Sequence, residues 1–282
     1  MYISNSILNP IQQQQDLPSM QSALDAFNAY QNTLKMSTGS AELDSLIDSI
    51  QEGIFYLFYG THRIIFDSMV YRFLVQCVLP VKGGHGFESM AICFNNSNYN
   101  NNRNTLTTFL NPEKIGITAK WGGIDPKIVF KNLFIQTAYN EQQQISAAEQ
   151  VANLIESNEN IKLLVINQLT RFVKDSKSKK KKKEAANVLK KVLGIVCRVC
   201  AKNKVAIIAT GDANTTSKGI IPRPLGGMYL KHAANVIVNI KENSKLYNIP
   251  SFKATLMKHQ YQRTPKAVLL SVKKTGGILF LD

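Results

Sequence analysis

The sequence is poor in the residues that build disulfide scaffolds and metal centres. Four cysteines and four histidines occur in 282 residues, too few thiols for a disulfide framework. Cys197 and Cys200 form one CxxC inside VLKKVLGIVCRVCAKNK. No second CxxC accompanies it, and His62, His85, His232 and His259 show no metal-ligand spacing. At i and i+3 the two thiols share a helix face, which suits a buried core position, and no metal site is expected. Acid is scarce as well: 19 Asp and Glu stand against 34 Lys and Arg, a formal charge of +15. A surplus of this size points to a polyanionic partner, nucleic acid before membrane surface. Long apolar runs are absent, so no bilayer-spanning helix is expected. The opening MYISNSILNPIQQQQDLPS has no basic segment followed by an apolar one, which excludes a secretory signal and places the expected location in the cytoplasm.

What the chain does have is alternation. Residues 1–19 are Gln-rich without an apolar period and read as an arm; residues 20–35 carry a weak helical pattern. GIFYLFY (53–59), SMAICF (89–94), NLFIQTA (132–138), IKLLVIN (161–167) and KVAIIATG (204–211) read as buried strands. DSMVYRFLVQCVL (67–79), ISAAEQVANLIES (145–157) and EAANVLKKVLGIVCRVCAK (184–202) read as helices between them. NVIVNIKE and KAVLLSVKK close the domain as strands. Short apolar strands alternating with helices predict an α/β fold with a mostly parallel, twisted sheet and helices on both faces. NNSNYNNNRNTLTTFLNP reads as a loop leading into a short helix.

Four segments carry a resemblance. STGSAELDSLI (37–47), IDPKIVFKNLFIQTAYN (124–140), IKLLVINQLT and RPLGGMYLKHAANVIVNI (223–240) resemble, in order and near the same spacing, the RecA-like core of archaeal RadA/RecA-family recombinases. The resemblance implies an arm or linker over 1–36 and a RecA-like core over 37–282. No counterpart of the family's helix-hairpin-helix domain is expected in the residues ahead of Ser37.

Against the family's phosphate loop, G-x-x-x-x-G-K-T, this chain reads Gly60-Thr61-His62-Arg63-Ile64-Ile65-Phe66-Asp67. Such a loop works because glycines let backbone N–H groups curl around phosphate, lysine neutralises it and the hydroxyl holds Mg²⁺. Here Ile65 replaces the second glycine, Phe66 the lysine and Asp67 the hydroxyl residue, while Arg63 and His62 remain as polar loop residues. The Walker B carboxylate position holds Asn167. The catalytic-glutamate position falls on Asn96 or Ser97, beside Asn95, and no carboxylate occurs from Ser89 to Pro112. The resemblance therefore implies a pseudo-ATPase without a general base to activate water and without a nucleotide cofactor. Ile65 and Phe66 are expected to fill the vacated pocket.

Two loops of the family face DNA. The first corresponds to VKDSKSKKKKKEAAN (173–187), expected here as a mobile loop with Lys174, Lys177, Lys179, Lys180, Lys181, Lys182 and Lys183. Lysines act as flexible point charges toward phosphate. The second is GDANTTSKGIIPRPLGG (211–227), with Lys218 and Arg223, and Gly226–Gly227 as a tight turn. The family's F-x-x-A polymerisation peptide falls on Met20-Gln21-Ser22-Ala23, so Met20 and Ala23 are candidate contacts to RadA, a paralog or a second copy. The expected function is ATP-independent binding of single-stranded DNA, with nucleoid association, that assists or modulates homologous recombination and repair. The alternatives are a protein-binding structural subunit of a paralog complex and an unusual ATPase or KaiC-like relative.

Overall fold

The computed structural model describes residues 22–82, 86–97, 110–176, 178–214, 222–243, 251–270, 272–275 and 278–281. The Gln-rich arm, Met20, Lys177 and Lys218 lie outside the described residues. Contacts divide the chain into two compact units, Met1–Thr33 and Leu34–Asp282.

The first unit contains α1 (Ala23–Gln31). Ser22 opens it, its Oγ accepting from the Asp25 N–H at 3.0 Å. Ala23 is the first helical residue and is exposed.

The second unit begins with β1 (Lys35–Met36), α2 (Ala41–Ile47) and β2 (Ile50–Gln51). β3 (Phe55–Gly60) leads into α3 (Arg63–Val78), followed by β4 (Met90–Asn96), α4 (Pro112–Trp121) and α5 (Pro126–Lys131). β5 (Leu133–Ala138) and α6 (Glu141–Ser157) precede β6 (Ile161–Asn167). α7 (Arg171–Asp175) and α8 (Lys179–Lys202) precede β7 (Ala206–Asn214). β8 (Arg223–Pro224), α9 (Gly227–Ala233), β9 (Val236–Glu242), β10 (Phe252–Lys258), β11 (Lys266–Leu270), β12 (Val272–Thr275) and β13 (Ile278–Leu281) follow.

The main sheet runs β11-β10-β9-β3-β7-β6-β4-β5, with β8 attached to β7. From β9 to β5 the strands are parallel; β10 and β11 add an antiparallel edge. Side chains alternate across the pleat. Phe55, Leu57 and Tyr59 of β3 join Leu164 and Ile166 of β6 in a core with α6 and α8. Tyr56 and Phe58 join Leu163 and Val165 in a second core with α2 and α3. Both faces are covered, which is why these strands read as continuous apolar runs.

Helix starts follow local capping. Asn111 accepts from the Glu113 N–H at 2.9 Å ahead of Pro112, and Asn140 accepts from the Gln143 N–H at 2.9 Å. The short helix expected after the Asn-rich stretch is α4; residues 98–109 of that stretch lie outside the described residues. Gly226 and Gly227 take φ of 110° and 78°, the left-handed region that lets the chain turn into α9.

Two expected elements differ. α3 starts at Arg63, four residues ahead of the expected Asp67. Only Thr61 and His62 separate it from β3. The lysine run is not a loop. Ser178 accepts from the Lys181 N–H at 3.2 Å and starts α8, so Lys179–Lys183 form its first turns. Lysine is a good helix former, and the run continues an amphipathic helix whose packed half anchors it.

Gly60 has a packing reason independent of any ligand. A Cβ there would lie 2.1 Å from the Ile240 carbonyl oxygen, backbone of the neighbouring β9. Gly60→Ala is expected to cost about 3 kcal/mol of stability, through forced separation of two buried strands. Urea melts check this; an unchanged midpoint contradicts it.

Candidate functional site

The carboxyl ends of β3, β4, β6 and β7 converge where an open α/β sheet places its ligand crevice. Here the crevice is filled. Gly60, Arg63, Phe66, Asp67, Gln168, Thr210, Gly211 and Asp212 line a cleft of only about 10 Å³, roughly one water molecule. Phe66 is buried and approaches Gly60. Ile65 is fully buried but turned into the α2–α3 core and does not line the cleft. The expectation that it plugs the pocket is corrected: the early start of α3 sets its side chain about 100° around the helix from Phe66.

Asn167 is the hub of a buried polar network. Its Nδ2 donates to Asn95 Oδ1 at 3.1 Å, and its Oδ1 accepts from Thr210 Oγ1 at 2.9 Å. The Asp67 carboxylate lies against the Asn167 amide, which helps to hold its charge. Asn96 Nδ2 donates to the Asn167 carbonyl at 3.0 Å and its Oδ1 accepts from Gln144 Nε2 at 2.9 Å. Ser97 is buried directly after them. The site so assembled satisfies amides with amides, as buried polar groups require.

Charge in the crevice is mixed. Burial pushes the Asp67 carboxyl up to about 6; the Asn167 hydrogen bond, Lys114 and Arg63 oppose this. Arg171 is a buried guanidinium, 2.7 Å from Asp175 Oδ2 and donating to Gln168 Oε1 at 3.1 Å. Burial lowers its pKa, the neighbouring Arg63 adds to this, and Asp175 and Asp212 oppose it. Lys174 pairs with Asp212, whose N–H donates to Thr170 Oγ1 at 2.9 Å. His62 Nε2 lies 2.9 Å from Glu242 Oε2 and ties the short turn to the end of β9.

A nucleoside triphosphate with its magnesium does not fit these residues. The turn between β3 and α3 is two residues long, Phe66 occupies its inner side, and ordinary ligand pockets run to hundreds of Å³. Beside the filled crevice opens a groove of about 500 Å³ lined by Gly60, Thr61, Lys174, Lys182, Asp212, Ala213, Asn214 and Leu225.

The structure brings Gly60, Arg63, Phe66, Asp67 and Asn167 together and sets Lys174 and Lys182 at the adjoining groove. Lys179, Lys180, Lys181 and Lys183 are exposed around the start of α8. Arg223 is exposed on β8, where it pairs in register with Asn214; residues 215–221 of that loop lie outside the described residues. Sequence reasoning missed Gln144, Thr170 and Arg171. Gln144 carried a signal: it precedes Ala147, Ala148 and Val151 at core-facing spacing on α6, so a polar side chain there needs a buried partner. Cys200, Cys77 and Cys93 are buried, Cys197 is half-buried, and burial pushes all four thiols up, Cys93 to about 12 and Cys197 to about 11. No group of three or more potential metal ligands occurs among the described residues. No helix among them is long and apolar enough to cross a membrane.

A doubly covered, mostly parallel sheet with its crevice above the central strand defines a RecA-like core. The Rad51 family profile matches residues 29–251, and the chain belongs to that family. It is 26% identical over 249 residues to "DNA repair and recombination protein RadA" of Methanococcus voltae, covering 81% of this chain and 74% of that protein. The protein of the same name from Methanococcus maripaludis strain C5 is 26% identical over 254 residues, with the same coverage. That from strain C6 is 30% identical over 154 residues, 49% of this chain and 46% of that protein.

Asp67 makes stability depend on pH. Its folded pKa, about 6, lies above its ordinary 3.8, so the ionised form costs the folded state more as pH rises from 4 through 6. Asp67→Asn is expected to gain on the parent over that window by about 1–2 kcal/mol, discounted for partial solvent access, and to level off above pH 7. Parallel melting profiles against pH would exclude this. Asn167→Asp sets a second carboxylate against Asp67 and is expected to cost about 2 kcal/mol at pH 8. Adding Asp67→Asn should recover most of that loss in a double-mutant cycle.

Proposed function

We propose that the protein is a non-hydrolysing member of its family that binds single-stranded DNA without ATP and assists or modulates recombination and repair. RadA of the methanococci is named for DNA repair and recombination, and the shared family supports a role in the same process. The observation that carries the reading is the placement of Lys179–Lys183 on the first turns of α8, with Lys182 lining the groove beside a crevice with room for about one water. Positive side chains at a helix N-terminus oppose the helix dipole, and a bound phosphate chain relieves that repulsion. No aromatic side chain accompanies these lysines on the first turns of α8, so backbone contact without sequence preference is the reading. With the phosphate-loop lysine position held by Phe66 and the Walker B position by Asn167, nothing couples this grip to nucleotide turnover. Nucleoid association in the cytoplasm follows from such binding.

Titration of single-stranded oligonucleotide with and without ATP tests this. Affinity is expected to be indifferent to ATP, with a salt slope of about −3.5 for five phosphate contacts. Changing Lys177 and Lys179–Lys183 to alanine should abolish most of it. Equal binding by that variant, or phosphate release that Arg63→Ala abolishes, would overturn the reading. A second reading, a structural subunit in a paralog complex, draws on exposed Ile128, Phe130 and Ile135 at the open β5 edge. Capture of RadA with no shift of oligonucleotide would favour it. Met20 and Ala23 are the contacts to exchange in that experiment.

A further inference from the structure

The outward face of α8 carries cations that run on from the grip at its first turns, with Lys183 shared between the two. At about 100° per residue, Lys183, Lys190, Lys191, Arg198 and Lys202 fall within an arc of about 120°. All five are exposed. Leu189, Val192, Leu193, Val196 and Cys200 fall on the opposite arc and are buried. Glu184 is the one carboxylate of α8. None of the ion pairs among the described residues includes any of the five cations. The packed half of the helix holds the row rigid, because α8 sits against α6, α7 and α9.

Rigidity and length select the partner. At about 1.5 Å per residue the five cations span about 28 Å, most of one turn of duplex, about 34 Å. Duplex DNA is straight over this distance, since its persistence length is about 500 Å. A flexible single strand gains from stacking on open aromatic faces, and the row has none. Tyr229, the exposed ring beside it, has Lys190 Nζ 5.5 Å from its centroid, over its face. A membrane surface would call for bulky apolar residues on the same face, and the exposed positions there are charged or polar except for the small Ala201.

We propose that this face of α8 is a track for the phosphate backbone of duplex nucleic acid. α8 runs from the carboxyl ends of the parallel strands back toward their amino ends, because it is the crossover from β6 to parallel β7. A single strand held at its first turns therefore continues onto the track as duplex, and the preferred ligand is a single-strand/duplex junction. The track stands on the cationic row; the junction preference rests on the single-strand reading above.

The test measures binding of a single strand, a blunt duplex and a tailed duplex by the full chain across salt. The variant is Lys190→Gln, Lys191→Gln, Arg198→Gln and Lys202→Gln together, all exposed, with its melt and far-UV spectrum compared with the parent. It is expected to lose about tenfold or more on both duplexes and less than about twofold on the single strand. Its duplex salt slope should be shallower by up to about 3.6, at about 0.9 per lost phosphate contact. Lys190→Arg, Lys191→Arg and Lys202→Arg together should keep duplex affinity, separating charge from fold. Equal losses on single strand and duplex, no loss on duplex, or tight binding to phosphatidylserine vesicles without binding to duplex each overturn the track. Duplex loss in the variant when the parent binds no single strand supports the track and sinks the single-strand reading instead.

Discussion

Buried polar groups at the carboxyl ends of a parallel sheet must find partners, and Asn167 meets that constraint for this protein. Its amide donates to Asn95, accepts from Thr210 and lies against the Asp67 carboxylate. Through it the ends of β4, β6 and β7 and the first turn of α3 are joined. An aspartate at that position could not donate, and would face Asp67 with like charge. On the alignment that the resemblance implies, Asp67 and Asn167 stand at the family's positions for a hydroxyl and a carboxylate, as though the carboxylate had crossed from the strand to the helix. The exchange suits a crevice closed on itself: no metal has to bridge the two, and Phe66 takes the space beside Gly60.

Closure has a consequence for the rest of the surface. In a site that cycles through nucleotide states, binding elsewhere can be switched by differential contacts in each state. On the function proposed above, a crevice with room for about one water offers no such second state. What remains is fixed charge, and the fold distributes it unevenly. Two cations near the crevice are committed to carboxylates, Arg171 to Asp175 and Lys174 to Asp212. The cations of α8 are not, and they continue from the groove at its first turns along its outer face. Near the crevice charge therefore serves structure: the Lys174–Asp212 pair ties α7 to β7, and Arg171–Asp175 braces α7 itself.

The amino-acid sequence carried the architecture because burial on both faces leaves a local trace. IKLLVIN is β6 residue for residue, and the strands around β3, β4, β5 and β7 fall within a few positions of their apolar runs. The antiparallel strand β10, one in from the edge strand β11, did not stand out, since FKATLMK mixes polar and apolar residues as a strand near the open edge does. The start of α3 was displaced because Arg63 and Ile64 carry no capping signal: His62 makes no side-chain cap bond. The lysine run read as a loop by charge alone, yet its helix state is set by Ser178 at one end and by the packed face from Ala185 onward.

Residue identity by itself determined which groups are present: Phe66, Asp67, Asn167 and the run Asn95-Asn96-Ser97 without a carboxylate are legible in one dimension, as is the excess of lysine. Only the tertiary structure decided what those groups do to one another. Hydrogen-bond satisfaction, the space left beside Gly60, and the side of α8 that faces solvent depend on neighbours far apart in the chain. Asn167 meets Asn95 across 72 positions and Thr210 across 43. Local pattern records how much of a segment is buried, whereas a filled crevice and a cationic row arise from which segments are brought side by side.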